Sequence, residues 1–172
     1  MANENMLPEK KDMPDLSMDG PRGVGGWLAF LIVVLTILSP LANIGMLAKE
    51  YSDMEKENPL LLFAAPYVQY KWFSWGVVLV AAAISIAAGC LLWKKLEWKS
   101  VRFAIGALWV IGPLSIILVG VYFFMTFGTE MMNEFLKDAF GTLAKSVFWA
   151  AVWTAYLLKS RRVRNTYVRE TP

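Results

Sequence analysis

The side chains best able to do chemistry lie at the margins of this sequence, and its long apolar stretches carry almost none. The 172 residues include no histidine, which removes the commonest general base and the commonest metal ligand. The one cysteine, Cys90, sits in an apolar run, so no intrachain disulfide is available and no neighbouring base activates its thiol. Lys145 is the only Asp, Glu, Lys, Arg or His within the apolar segments, and it falls near an edge. Ion pumps, proton-coupled carriers and voltage sensors need charge at depth, and this argues against all three. The chain reads as a non-enzymatic protein with no cofactor and no metal site.

Three patterns remain as candidates. Gly23-Val24-Gly25-Gly26-Trp27-Leu28 is glycine-rich like a phosphate loop, but lacks the preceding strand, the third spaced glycine and the Lys-Ser/Thr pair. It is better read as a flexible lead-in to a helix, with Trp27 as interfacial anchor. Thr36, Ser39 and Asn43 fall at i, i+3 and i+7 beside Pro40, which leaves the Thr36 carbonyl without its helical donor. Interhelical hydrogen bonds, averaging about 0.6 kcal/mol each in membranes, are the simpler reading, and a polar cavity open to the outer side the sharper one. The third pattern is the basic run from Lys159 to Arg169. Its composition would suit nucleic acid, but a net charge of +3 is too small for that partner. A stop-transfer anchor on anionic lipid headgroups suits it better, at about 1 kcal/mol per basic residue. Asn165, Thr166 and Tyr167 are not needed for anchoring. With Arg161 and Arg162, and with Gly25, Gly26 and Trp27 from the other end, they form a candidate cytoplasmic interaction surface.

The elements that must position these groups are membrane helices. Hydrophobic residues make up 57% of the chain and charged residues 18%, with a mean hydropathy of +0.46. Soluble domains run nearer ~45–50% apolar and ~25% charged. Residues 1–22 are polar and proline-bearing, and read as a flexible tail. Charge-free runs of 24, 22 and 25 residues follow at 24–47, 72–93 and 103–127, each long enough for a ~30 Å hydrocarbon layer. A fourth span over 139–158 admits Lys145 roughly 9 Å from its outer end, where the side chain can snorkel. Met132, Phe135, Leu136, Phe140 and Leu143 recur at helical spacing ahead of it and suggest an amphipathic approach helix. A loop is expected from Lys49 to Lys71, where Pro59 and Pro66 interrupt an apolar stretch that can lie on the membrane surface. A tight basic turn is expected from Lys94 to Arg102. Residues 159–172 form a basic tail.

Twelve of the seventeen Lys and Arg residues lie in the two tails and the second loop, and five in the first and third loops. Positive flanks stay cytoplasmic, so the expected architecture is an all-α four-transmembrane-helix bundle with both ends inside. Ala81, Ser85 and Gly89 make a small-residue stripe on the second helix, and Pro40 and Pro113 each lie within an outward-running helix; these five are the candidate packing residues. The packing neighbour is another helix of the same chain, a second copy, or another membrane protein.

The GVGGWL lead-in, Pro40 late in the first helix, and Ser160, Arg162, Val163, Asn165 and Thr166 after the last one carry a resemblance. Together they resemble the YdgK-like family of bacterial inner-membrane proteins, the domain of unknown function DUF2569. The likeness runs from about Arg22 to Val168. It implies a multi-pass protein of the bacterial cytoplasmic membrane and carries over no catalytic residue. An accessory or scaffold role is the expected function, and a small oligomeric facilitator for an uncharged solute the alternative.

Overall fold

A computed structural model of the chain describes residues 23–129 and 132–167, and all regular elements among them are helices. The expected tail at 1–22, with Lys10, Lys11 and Arg22, lies outside the described residues, as do Val168 and Arg169. Four long helices follow one another. They are α1 (Trp27–Glu57), α2 (Ala65–Lys94), α3 (Trp98–Phe127) and α4 (Met132–Lys159), followed by a short α5 (Arg161–Thr166). Three of them, α1 to α3, are long and apolar enough to cross a membrane. At 30 or 31 residues each is about 45 Å long, well beyond a ~30 Å hydrocarbon layer.

The helices therefore outrun the charge-free segments. The loop expected over 49–71 is mostly helix: α1 continues to Glu57, α2 begins at Ala65, and a 3-10 turn at Pro59–Phe63 joins them. Pro59 and Pro66 occupy first-turn positions, where a missing N–H costs nothing. Likewise α2 ends at Lys94 and α3 starts at Trp98, so the basic turn shrinks to residues 95–97. Charged residues can extend a helix into water without an apolar stripe, so hydropathy alone does not mark these ends. Of the expected approach helix, Leu136, Phe140 and Leu143 lie on α4, which runs unbroken; the side chains of Met132 and Phe135 lie outside the description.

Each long helix packs on the next, α1 on α2, α2 on α3 and α3 on α4. Short connections make neighbours antiparallel. The α1 and α4 helices meet through Trp27 and Phe30 against Trp153. The core gathers at the end where α1 starts and α4 finishes, around Leu28, Leu31, Leu35, Leu92, Val101, Leu157 and Val163. Large apolar side chains elsewhere, such as Leu41, Val80, Val121 and Phe148, face outward, as suits a chain solvated by lipid.

Both expected helix prolines are buried and adjoin a π-helical turn, Val34–Leu38 before Pro40 and Val110–Leu114 around Pro113. A proline ring removes one donor and crowds the preceding turn, and a widened turn absorbs this. The loosened carbonyls find hydroxyls. Ser85 of α2 donates to the Leu35 carbonyl at 2.6 Å, and Ser115 donates within α3 to Ile111 at 2.5 Å or Gly112 at 2.9 Å. Ala81, Ser85 and Gly89 are all buried, and the last two face the π turn of α1. At Gly89 the two backbones come so close that a Cβ would collide with Thr36 Oγ1 and stand 3.2 Å from the Ile32 carbonyl. Of Thr36, Ser39 and Asn43, Thr36 Oγ1 is buried against α2 with no hydrogen-bond partner, and Asn43 donates to Ser39 at 3.4 Å.

Candidate functional site at the joined chain ends

The two end motifs, separated by more than 130 residues in sequence, meet in one place. Ser160 adopts extended backbone (ψ 125°), which ends α4 and redirects the chain into α5. That turn carries α5 back across the start of α1. Thr166 is buried there; its Oγ1 accepts from the Gly23 N–H at 3.0 Å and donates to the Arg162 carbonyl at 2.7 Å. Val163 is fully buried in the core beside it.

Tyr167 is the bolt of this clasp. Its ring is 1% exposed, and its hydroxyl donates to the Leu92 carbonyl at 2.7 Å. Leu92 lies in the last turn of α2, where carbonyls lack helical donors, so the phenol satisfies a group that would otherwise be buried unpaired. Burial pushes the Tyr167 hydroxyl up to about 12, with a smaller contribution from Tyr156, so it keeps its proton and stays a donor at ordinary pH.

Arg162 closes the other side. Its Nη1 stands 3.1 Å from where a Cβ on Gly25 would be and 2.8 Å from one on Gly26. Gly26 also has φ +58°, a conformation that L side chains rarely adopt, and this selects glycine at that position. The guanidinium thereby sits over the start of α1, whose macrodipole is positive at the same end. Trp27 projects outward at 67% exposure and reaches Trp153 of α4 at 6.5 Å.

The structure thus brings together Gly25, Gly26, Arg162, Thr166 and Tyr167, and buries Thr166 and Tyr167. Arg161 and Arg164 remain exposed, and Asn165 is half-buried. Thr166 and Tyr167 are each bonded within the chain, to the Gly23 amide and the Leu92 carbonyl. Sequence reasoning missed the Leu92 carbonyl and the Gly23 amide. Both are backbone groups, which carry no residue-type signature. No nucleophile and base approach one another in the clasp, and no three His, Cys, Asp or Glu side chains among the described residues could hold a metal ion. What the arrangement does chemically is lock two chain segments together and concentrate positive charge on one face.

The fold and site define a class: a helical protein with three helices apolar enough to cross a membrane, the segment leading into its first helix clasped to the short helix after its last long one. More narrowly, the chain belongs to the family described as "Protein of unknown function (DUF2569)", which matches residues 21–168 and so takes in both halves of the clasp. No curated protein and no solved structure matches it.

Proposed function

We propose that this chain is a non-enzymatic accessory or scaffold protein of the bacterial cytoplasmic membrane, crossing it four times with both ends in the cytoplasm. The clasp is the observation that carries this reading. It spends Thr166 and Tyr167 on intrachain bonds and leaves Arg161 and Arg164 exposed on an ordered face beside the Arg162 guanidinium. Such a face suits anionic headgroups and the acidic segments of a neighbouring membrane protein. The basic asymmetry supports the orientation, since Lys94, Lys95, Lys99 and Arg102 around the second turn, and Lys159, Arg161, Arg162 and Arg164 after Leu158, fall on the clasp side. The fourth crossing rests on α4, whose 28 residues give about 42 Å and whose Phe140, Phe148 and Trp149 face outward.

The test is crosslinking in cells, with a photoreactive residue at Arg161 or Arg164 and a control at Val80 on the outward face of α2. The expected result is a reproducible adduct with another membrane protein from the two tail positions and none from Val80. Adducts with further copies of this chain alone would instead favour an oligomeric facilitator for an uncharged solute.

A further inference from the structure

At the end of the bundle away from the clasp, the last turns of α1 and the first turns of α2 enclose a cleft of about 320 Å³. Tyr51, Ser52, Glu55, Lys71 and Trp75 line it, with Lys56 at the rim. That volume is at the small end of ligand sites. Lys71 Nζ bonds Glu55 Oε1 at 2.5 Å, and Tyr67 donates to the same oxygen at 3.2 Å. Lys71 also lies 5.8 Å from the centre of the Tyr51 ring. The ion pair is only partly covered, its side chains being 26% and 20% exposed, so both charges face the cleft. A second pair, Lys56 with Asp53 at 3.6 Å, stands at the rim.

The depth of this cleft identifies its environment. From Trp93 to Trp72 the rise along α2 is about 32 Å, close to the ~30 Å hydrocarbon thickness, and exposed Trp side chains mark both limits. Lys71 is the next residue outward, and so enters the headgroup layer, which is about 5–8 Å deep on each side. On α1 the same rise from Trp27 ends near Ala48, placing Ser52 and Glu55 about 6–10 Å further out. Trp75 is one turn inside the boundary. The cleft therefore runs from the acyl chains through the headgroup layer, with an aromatic wall at its inner end and paired opposite charges at its outer end.

We infer that the cleft binds the headgroup of a phospholipid carrying a primary ammonium beside its phosphate, of the ethanolamine type. The phosphate accepts from Lys71, Lys56 and the Ser52 hydroxyl, and the ammonium donates to Glu55. The upper acyl carbons lie along Trp75. A choline headgroup has no N–H to offer Glu55, and a glycerol headgroup offers it only neutral hydroxyl donors, without the opposite charge of an ammonium. The chemistry is a property of the cleft alone; only its assignment to the outer leaflet rests on the orientation proposed above.

The test is native mass spectrometry of the full chain in detergent, offered phosphatidylethanolamine, phosphatidylglycerol or phosphatidylcholine, and separately soluble phosphoethanolamine. One phosphatidylethanolamine should be retained in preference to the other two lipids. Lys56→Ala and Glu55→Gln should each weaken it about tenfold, as loss of one charge-assisted hydrogen bond implies, while Lys94→Ala at the opposite end leaves it unchanged. Lys56 pairs only at the exposed rim, so its variant keeps the fold even if Glu55→Gln does not. Equal retention of the three lipids, or undiminished retention by Lys56→Ala, overturns the inference. Soluble phosphoethanolamine binding as tightly as the lipid overturns the lipid assignment in favour of a free zwitterion. Cysteine labelling of the loops decides the leaflet separately, so a failed orientation and a failed site give different results.

Discussion

Gly89→Leu is expected to keep α1 and α2 from closing on each other. The Gly89 position faces Thr36 Oγ1 and the Ile32 carbonyl, and the second of these is backbone that cannot rotate away. Overpacking a filled site costs about 1–3 kcal/mol, and a leucine against backbone should lie at or above the upper end. The bond from Ser85 to the Leu35 carbonyl, one turn away, would be lost with the same displacement. Thermal unfolding of the purified protein in detergent measures the effect, with Val80→Leu, at a position 61% exposed, as the control. The variant should unfold well below the parent, and the control at the parent's temperature. Thr36→Ala should recover part of the loss in a Gly89→Ala background, since it removes the nearest colliding atom and leaves the Ile32 carbonyl in place. Equal stability of Gly89→Leu and the control would mean that the stripe is not a packing surface.

Tyr167→Ala is expected to open the clasp. Truncating a buried aromatic ring costs about 3–5 kcal/mol. Here it also strands the Leu92 carbonyl and leaves Val163 and the Thr166–Gly23 bond to hold α5 in place. Tyr167→Phe separates the two contributions: it keeps the ring and loses only the hydrogen bond, at about 1–3 kcal/mol for the carbonyl left unpaired. Limited trypsin digestion reports the opening directly, because Arg161, Arg162 and Arg164 lie on the released segment. The Ala variant should be cut there much faster than the parent, and the Phe variant at an intermediate rate. Parental digestion rates in both variants would show that the tail is held by something other than Tyr167.

The apolar half of this fold was legible because hydrophobic runs have only one use at such lengths. The runs at 72–93 and 103–127 fall within helices apolar enough to span a membrane, and the run at 24–47 does so from Trp27 onward. Helix ends were not legible, since Tyr51, Glu55, Tyr67 and Lys71 continue helices into a polar layer where no apolar period is required. The short turn at 95–97 was overestimated for the same reason. At the clasp, sequence gave the participants but not their partners. Asn165, Thr166 and Tyr167 could be picked out as residues that anchoring did not require, and Gly25, Gly26 and Arg162 through the two end motifs. That they bind one another, and a backbone carbonyl of α2, depends on the turn at Ser160 and on packing across four helices. Composition holds no record of either.

The proposed topology, four crossings with both ends in the cytoplasm, puts the clasp of Gly23 with Thr166 and of Tyr167 with Leu92 on the cytoplasmic face. Single cysteines in a Cys90→Ala background, probed in intact bacteria with a membrane-impermeant maleimide, test it most directly. Cysteines at Asn58 and Thr129 should label from outside, while those at Ser17, Lys95 and Arg164 should label only after permeabilisation. Labelling of Arg164 in intact cells, with Ser17 protected, would place the two ends on opposite sides. It would remove both the fourth crossing and the clasp.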